Sequence, residues 1–219
     1  MESVYQSYYT KSDMITDYMI SQLRLTENLC ILEPSAGDGV FIEKLLNNHK
    51  NIKVDAFEIN PEAVNILNSK FSLNKNIKIF YSNTLTDDKL DSYSDNGGFY
   101  DRIIGNPPYG GWIDHNQRLL FKEKYYGHYV KETYGLFLIR SLLLLKEGGI
   151  LSFIIPDTFL YINRHKKLRE FILNNTKIIE IVTFNSKFFP NVNFGYSELS
   201  IITLKKSKNN LQIASNNFY

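Results

Sequence analysis

The chain has 219 residues, 43% of them apolar and 22% charged, with 12 Gly and 6 Pro. That is enough for one domain with a full core, and it excludes a disordered, collagenous or low-complexity polymer. One cysteine, Cys30, excludes an internal disulfide framework and a zinc cluster on paired thiolates; it reads as a small buried residue in a reducing, cytoplasmic setting. The net charge of +2 hides an asymmetry: residues 1–105 carry 10 Lys/Arg against 15 Asp/Glu, net −5, and residues 106–219 carry 15 against 8, net +7. The second half leans towards polyanions.

Residues 1–10 are polar and Tyr-rich, unlike a targeting segment. From about residue 29, strand and helix signals alternate, the pattern of an α/β protein with a mostly parallel sheet. Residues 30–32 form a short apolar strand that runs into Pro34-Ser35-Ala36-Gly37-Asp38-Gly39, after which Val40, Phe41, Leu45 and Leu46 have helical spacing. Val54, Ala56 and Phe57 make a second strand ending at Glu58, and Pro61 stands where a helix accepts its first residue. Ile77, Ile79 and Tyr81 make a third. Residues 87–98 read as a polar, turn-rich connection, and residues 102–104 as a fourth strand that stops at Gly105-Asn106-Pro107-Pro108.

Residues 110–134, with Trp112 and five Tyr/Phe, read as a long loop able to close over a substrate. The apolar run 136–145 is interrupted by Arg140 and falls short of the roughly 20 residues of a membrane span; residues 136–146 are a core helix closed by Gly148-Gly149. No membrane association is expected. Residues 150–155 form a buried strand halted by Pro156, residues 164–173 an amphipathic helix, and residues 178–184 and 199–204 two strands suggesting an antiparallel edge hairpin. The tail from Lys205 is polar and begins with a basic cluster.

Two constellations carry chemistry. Gly37 and Gly39, one residue apart at a strand end, let the backbone turn tightly and approach a ligand closely, and the helix behind them offers unpaired N–H groups. Ile42 stands where a dinucleotide fingerprint has its third glycine, so the loop does not suit a pyrophosphate. Glu58, 21 residues after Gly37, is spaced to reach a ribose hydroxyl pair. An adenosine without phosphates satisfies both constraints. S-adenosylmethionine is the expected cofactor, its amino-acid end against Glu33 and the glycine loop.

The second is Gly105-Asn106-Pro107-Pro108-Tyr109-Gly110, at the carboxyl end of the fourth strand, where ligands of such sheets bind. Tandem prolines fix φ and bias Asn106 out of the helical region. The Asn106 amide oxygen and a prolyl carbonyl are both acceptors, able to grip the two hydrogens of one planar NH₂ group, with the Tyr109 ring beside them for stacking. Drawing both hydrogens towards fixed acceptors favours a pyramidal nitrogen whose lone pair can face an electrophilic methyl carbon.

With these motifs in place, the chain resembles the adenine-N6 DNA methyltransferases in their gamma arrangement, as found in restriction-modification systems. The resemblance rests on Tyr8-Tyr9-Thr10 with residues 14–20, Glu33 to Gly39, Glu58, Asn106-Pro107-Pro108-Tyr109, Tyr134-Gly135-Leu136-Phe137, Leu145 to Gly149, Ile155-Pro156-Asp157-Thr158-Phe159, Phe188-Phe189-Pro190 and the strand 199–204. It implies a Rossmann-like class I S-adenosylmethionine-dependent methyltransferase fold, with a mostly parallel seven-stranded sheet and an antiparallel edge hairpin.

Carried over residue by residue, the resemblance gives Thr10 to the methionine moiety and Glu33, Gly37, Asp38 and Gly39 to the amino-acid end. Glu58 goes to the ribose and Asn83 to the cofactor adenine, at a place where the family commonly has Asp. Asn106 and Pro107 orient the target amine of a flipped-out adenine; Tyr109 stacks on the base and Phe189 presses its other face or edge. It divides the chain into a cofactor-binding segment 1–28, a catalytic domain 29–205 and a polar tail 206–219, with no target-recognition domain. DNA is the implied substrate, and a separate recognition or restriction subunit a partner.

His49, His115, His128 and His165 lack metal-ligand spacing, so no metal is expected. Arg164, Lys166, Lys167 and Arg169 could meet phosphates or simply form a solvated helix face. Other substrates of the same Asn-Pro-Pro-Tyr chemistry remain, a protein glutamine amide or an RNA base amine, as does a non-catalytic subunit that binds cofactor or DNA.

Overall fold

The computed structural model describes residues 12–49, 51–110, 115–125, 127, 132–184 and 198–207. Helix α1 (Asp13–Gln22) comes first, with Ile15, Met19 and Ile20 buried in the core. Its exposed Asp13 and Asp17 both pair with Lys44 of the next helix. Strand β1 (Cys30–Glu33) leads into α2 (Val40–Asn48), and β2 (Lys53–Glu58) into α3 (Pro61–Phe71). The α3 start is a side-chain cap: Asn60 accepts from the Glu62 N–H at 3.0 Å and Pro61 occupies a first-turn position, where its missing N–H costs nothing. Strand β3 (Ile77–Tyr81) follows.

The polar stretch after β3 is not a plain connection. It contains α4 (Asp88–Asp95), capped by the Asp87 carboxylate, which accepts from the Leu90 N–H. Abundant Asp and Ser give it a turn-like sequence, but the Asp87 cap, buried Leu90 and the ion pairs of Asp91 with Lys124 and Arg140 hold a short helix against the domain. Strand β4 (Tyr100–Gly105) comes next. The segment read as a long loop likewise holds a helix, α5 (His115–Lys124), anchored by buried Phe121.

Helix α6 (Thr133–Leu144) is buried on every side except at Leu143, as its continuous apolar sequence requires. It ends before Gly148-Gly149. These glycines lie instead within β5 (Leu145–Pro156), where the pairing jumps from Tyr100 with Leu145 to Arg102 with Ile150 and residues 146–149 bulge out. Two short 3-10 turns (Asp157–Leu160 and Asn163–His165) precede α7 (Lys166–Asn175), so the last helix starts two residues later than its sequence suggests. Strands β6 (Thr176–Phe184) and β7 (Leu199–Lys206) complete the sheet.

The sheet has seven strands in the order β3-β2-β1-β4-β5-β7-β6. The first five in that order run parallel, while β7 is antiparallel to both β5 and β6. The two late strands therefore pair as expected, with β7 inserted between β5 and the edge strand β6. Strand β7 is buried from Leu199 to Leu204, as an interior strand should be. Cys30 is half-buried rather than buried. Strand order reverses between β1 and β4, and the crevice outside their carboxyl ends is where open α/β sheets bind ligands. Glu33 ends one of these strands and Gly105, just before Asn106, ends the other.

Candidate active site

On the β1 side of the crevice, the main chain does most of the shaping. Gly37 and Gly39 have φ of 55° and 86°, left-handed values that suit glycine. At Gly39 there is a second constraint: a Cβ would lie 2.6 Å from the Phe71 ring and 2.8 Å from Leu67. Gly39 ends the loop by accepting the Glu43 N–H, and Asp38 contributes its carbonyl to Lys70 at 2.8 Å.

Glu58 is buried, and its carboxylate accepts three backbone N–H groups at 2.8 Å, from Gly37, Ile59 and Asn60. It thus ties the glycine loop to the end of β2. A carboxylate has about four acceptor positions, so room for a hydroxyl remains. Glu33 differs. It is 1% exposed, and among the described residues its Oε2 accepts no hydrogen bond. Burial first, then the nearby Asp38 and Glu58 charges, hold its carboxyl well above the ordinary 4.5. A buried acid lacking a cation is suited to an incoming ammonium group.

Asn83 follows β3, and its Oδ1 accepts from the Leu85 N–H at 3.0 Å in a local turn. Its neighbour Thr84 is the hub of this loop. The Thr84 hydroxyl donates to the Pro34 carbonyl at 2.6 Å, and the Thr84 carbonyl accepts from Arg140 Nε at 3.1 Å. Arg140 also reaches the Asp87 carbonyl and, at 2.7 Å, the Asp91 carboxylate, which Lys124 shares. Tyr125 adds a bond to the Leu85 carbonyl at 2.9 Å. Burial pushes Asp91 up, but the Lys124 and Arg140 charges outweigh it and hold the carboxyl below its usual value. None of Thr84, Tyr125 or Arg140 was singled out from sequence as part of a site. Arg140 alone left a signal: a guanidinium inside an apolar helix must find acceptors.

On the β4 side, the hydroxyl of Tyr109 donates to Asn106 Oδ1 at 2.5 Å, and Tyr109 is buried. The ring expected to stack on a base is therefore packed away, its hydroxyl on the oxygen expected to take the target amine. Ser35 donates weakly to the Asn106 carbonyl at 3.4 Å, linking the two sides of the crevice. Thr133, at the start of α6, donates to the Pro108 carbonyl at 2.6 Å. Pro107 is buried. Thr10 and Phe189 lie outside the described residues.

Of the basic cluster near α7, Arg164 pairs with Glu132, and Arg169 donates to the Phe159 and Ile162 carbonyls. These two serve the fold; Lys166 and Lys167 are exposed.

Residues 7–189 match the Eco57I restriction-modification methylase family. The chain is 34% identical over 203 residues to the type II methyltransferase M.HincII of Haemophilus influenzae, covering 89% of this chain and 36% of that protein. It is 28% identical over 160 residues to M.AccI of Acinetobacter calcoaceticus, covering 71% of this chain and 28% of the relative. The chain thus spans about a third of the length of these curated relatives. Among solved structures, one described as the modification subunit of a type I restriction enzyme from Vibrio vulnificus superposes with a TM-score of 0.77 at 18% identity, over 92% of this chain and 45% of that one. Another, described as a class I S-adenosylmethionine-dependent methyltransferase from Listeria monocytogenes, gives 0.71 at 17% identity, over 96% and 64%. The fold is that of the class I methyltransferases.

Proposed function

This chain belongs to the Eco57I restriction-modification methylase family of S-adenosylmethionine-dependent methylases, and from that premise we propose that it transfers a methyl group to the N6 amine of a flipped-out adenine in DNA. One observation carries the reading: Asn106 stands at the carboxyl end of β4, across the switch-point crevice from the unpaired, buried oxygen of Glu33. An acceptor for an amine and an acceptor for an ammonium thus flank the same crevice.

S-adenosylmethionine supplies a methyl carbon on a sulfonium for direct displacement. Glu33 would take the ammonium of its amino-acid end, the Glu58 carboxylate would accept from the ribose with its remaining capacity, and Asn83 would face the adenine. Thr10 and Asp38 belong to the amino-acid end. Asn106 Oδ1 and the Pro107 carbonyl hold the two hydrogens of the target amine, so that its lone pair faces the methyl carbon. For that to happen, the Tyr109 hydroxyl must leave Asn106 and its ring turn out to stack on the base, with Phe189 on the other side. Aromatic stacks worth about 1–3 kcal/mol each offset most of the few kcal/mol of base extrusion.

A specific protein–DNA interface buries about 1,000–2,500 Å² of protein surface. The relatives are about three times as long as their match to this chain, which supports a reading in which sequence recognition lies in a further domain or a separate subunit. Catalysis is assigned to residues 29–205 and cofactor support to residues 1–28. The test is incubation of the protein, alone and with any companion recognition chain, with labelled S-adenosylmethionine and duplex DNA, followed by nucleoside mass spectrometry. N6-methyladenine is the expected product. Cofactor binding without any methylated adenine, or transfer only to a glutamine peptide or to RNA, overturns the reading.

A further inference from the structure

We propose that Thr133 is a positioning residue for methyl transfer, acting through the Pro108 carbonyl on the loop that carries Asn106. The inference rests on the catalytic role given above to Asn106 and Pro107. Its starting point is a peculiarity of the loop. Pro107 and Pro108 have no N–H groups, so these two residues can enter main-chain hydrogen bonds only as acceptors, through their carbonyls. The Pro108 carbonyl is held by the Thr133 hydroxyl at 2.6 Å, a short bond from a residue 25 positions away.

Thr133 is itself rigidly seated. It is the first residue of α6, it is buried, and the helix behind it is buried at every position but Leu143. The residues on either side of it are clamped to the segment after β5: Tyr134 bonds to Thr158 at 3.2 Å and to His165 Nε2 at 3.1 Å, while Glu132 pairs with Arg164. Seven residues further along the same helix, Arg140 grips the Thr84 carbonyl of the cofactor-side loop. One buried helix therefore sets both walls of the crevice, and Thr133 is its contact with the catalytic wall. The N-cap position of α6 is held by Glu132, so the Thr133 hydroxyl is not at the capping position; its bond goes to another segment, which favours a role outside the helix.

Displacement tolerates little misalignment; an error of about 1 Å costs on the order of 100-fold in rate. Thr133→Val keeps the shape and β-branch and removes only the donor, whereas Thr133→Ser keeps the donor. Thr133→Val is expected to lower the single-turnover methyl-transfer rate about 10- to 100-fold. The KM for DNA and the Kd for S-adenosylmethionine should stay within about two-fold, because a group that only aligns the amine for the transition state lowers the rate without altering ground-state binding. Thr133→Ser should stay near the wild-type rate. A second readout needs no turnover: amide exchange at Tyr109 and Gly110 should quicken in the Val variant, not in the Ser variant, with other segments unchanged.

Equal rates in wild type and Val, or equal losses in Val and Ser, overturn the inference, as does unchanged exchange at residues 109–110. If the wild type methylates no adenine, the functional reading fails, and the exchange comparison still decides whether Thr133 holds the loop. Should Thr133→Val fail to bind cofactor or to melt cooperatively, Thr133→Ala against Thr133→Ser gives the same comparison.

Discussion

The two walls of the crevice are built by different means. On the cofactor side, the shaping bonds involve main-chain groups: three N–H groups converge on Glu58, and the Thr84 hydroxyl and Arg140 fix carbonyls. On the catalytic side, Thr133 likewise fixes a carbonyl, that of Pro108, but the reactive amide oxygen of Asn106 is itself taken by a side-chain hydroxyl, that of Tyr109. Among the described residues, the polar groups of the first wall named above have partners without any ligand, apart from Oε2 of Glu33. The second is occupied by its own tyrosine. Cofactor should therefore enter a ready site, whereas a target amine must displace a hydrogen bond, so catalytic and cofactor-binding defects should separate cleanly between the walls.

The sharpest way to break that comparison is Asn106→Ala. It removes the amine acceptor and should lower methyl transfer by on the order of 100- to 1,000-fold, the scale seen when one preorganised polar group is lost from a reacting centre. Cofactor affinity, read by calorimetry, should hardly change. A cofactor-binding defect as large as the rate defect would mean that the walls are not independent. On the other wall, Gly39→Ala should do the reverse. Its Cβ would intrude on Phe71 and Leu67 at a φ of 86°, at a cost of about 1–3 kcal/mol for overpacking and about 1 kcal/mol more for the left-handed backbone. A lower urea midpoint and weaker cofactor binding are expected. Unchanged stability would show that the loop is looser than its contacts imply.

The same contrast explains what could be read from sequence. Strands β1 to β5 and the late pair were visible because apolar runs end at punctuation such as Pro34, Glu58, Asn106 and Pro156, all set by local sterics. Helices α4 and α5 do not show in the sequence pattern, because each buries only one side chain and they are held by long-range ion pairs, Asp91 with Lys124 and Arg140, and in α4 by the Asp87 cap, rather than by periodicity. Within the site, Glu33, Gly37, Gly39, Glu58 and Asn106 stood out because each sits at a strand end. Thr84, Tyr125 and Thr133 did not, since their partners lie 50, 40 and 25 residues away and only folding brings them together. The bond between Tyr109 and Asn106 is close in sequence, but whether a ring stacks outward or folds inward depends on packing that no motif encodes.

The smallest expected effect concerns Glu33, and it tests whether the ready wall is ready at a cost. Its carboxyl titrates well above 4.5 in the folded chain, chiefly because it is buried. In the unfolded chain it ionises near its ordinary value. The folded state therefore binds the extra proton: stability from this group is complete below about pH 4.5 and is lost as pH rises through the raised folded value. Glu33→Gln removes the titration while keeping the shape. At neutral pH the ligand-free variant should melt higher by a few degrees, since each kcal/mol is worth about 2–4 °C for a chain of this size. The gain should vanish at about pH 4, where the wild-type carboxyl is protonated in both states. Cofactor binding should change in the opposite sense. Wherever its carboxyl is protonated, the wild type must give up that proton to pair with the ammonium, so its affinity should rise as pH rises through the raised folded value, and over that range its binding heat should depend on the ionisation enthalpy of the buffer. The variant should bind more weakly, with neither dependence. A melting temperature unchanged by the substitution at neutral pH would show that the buried carboxylate is already compensated. The two walls would then differ only in what they bind, and not in how much strain each stores.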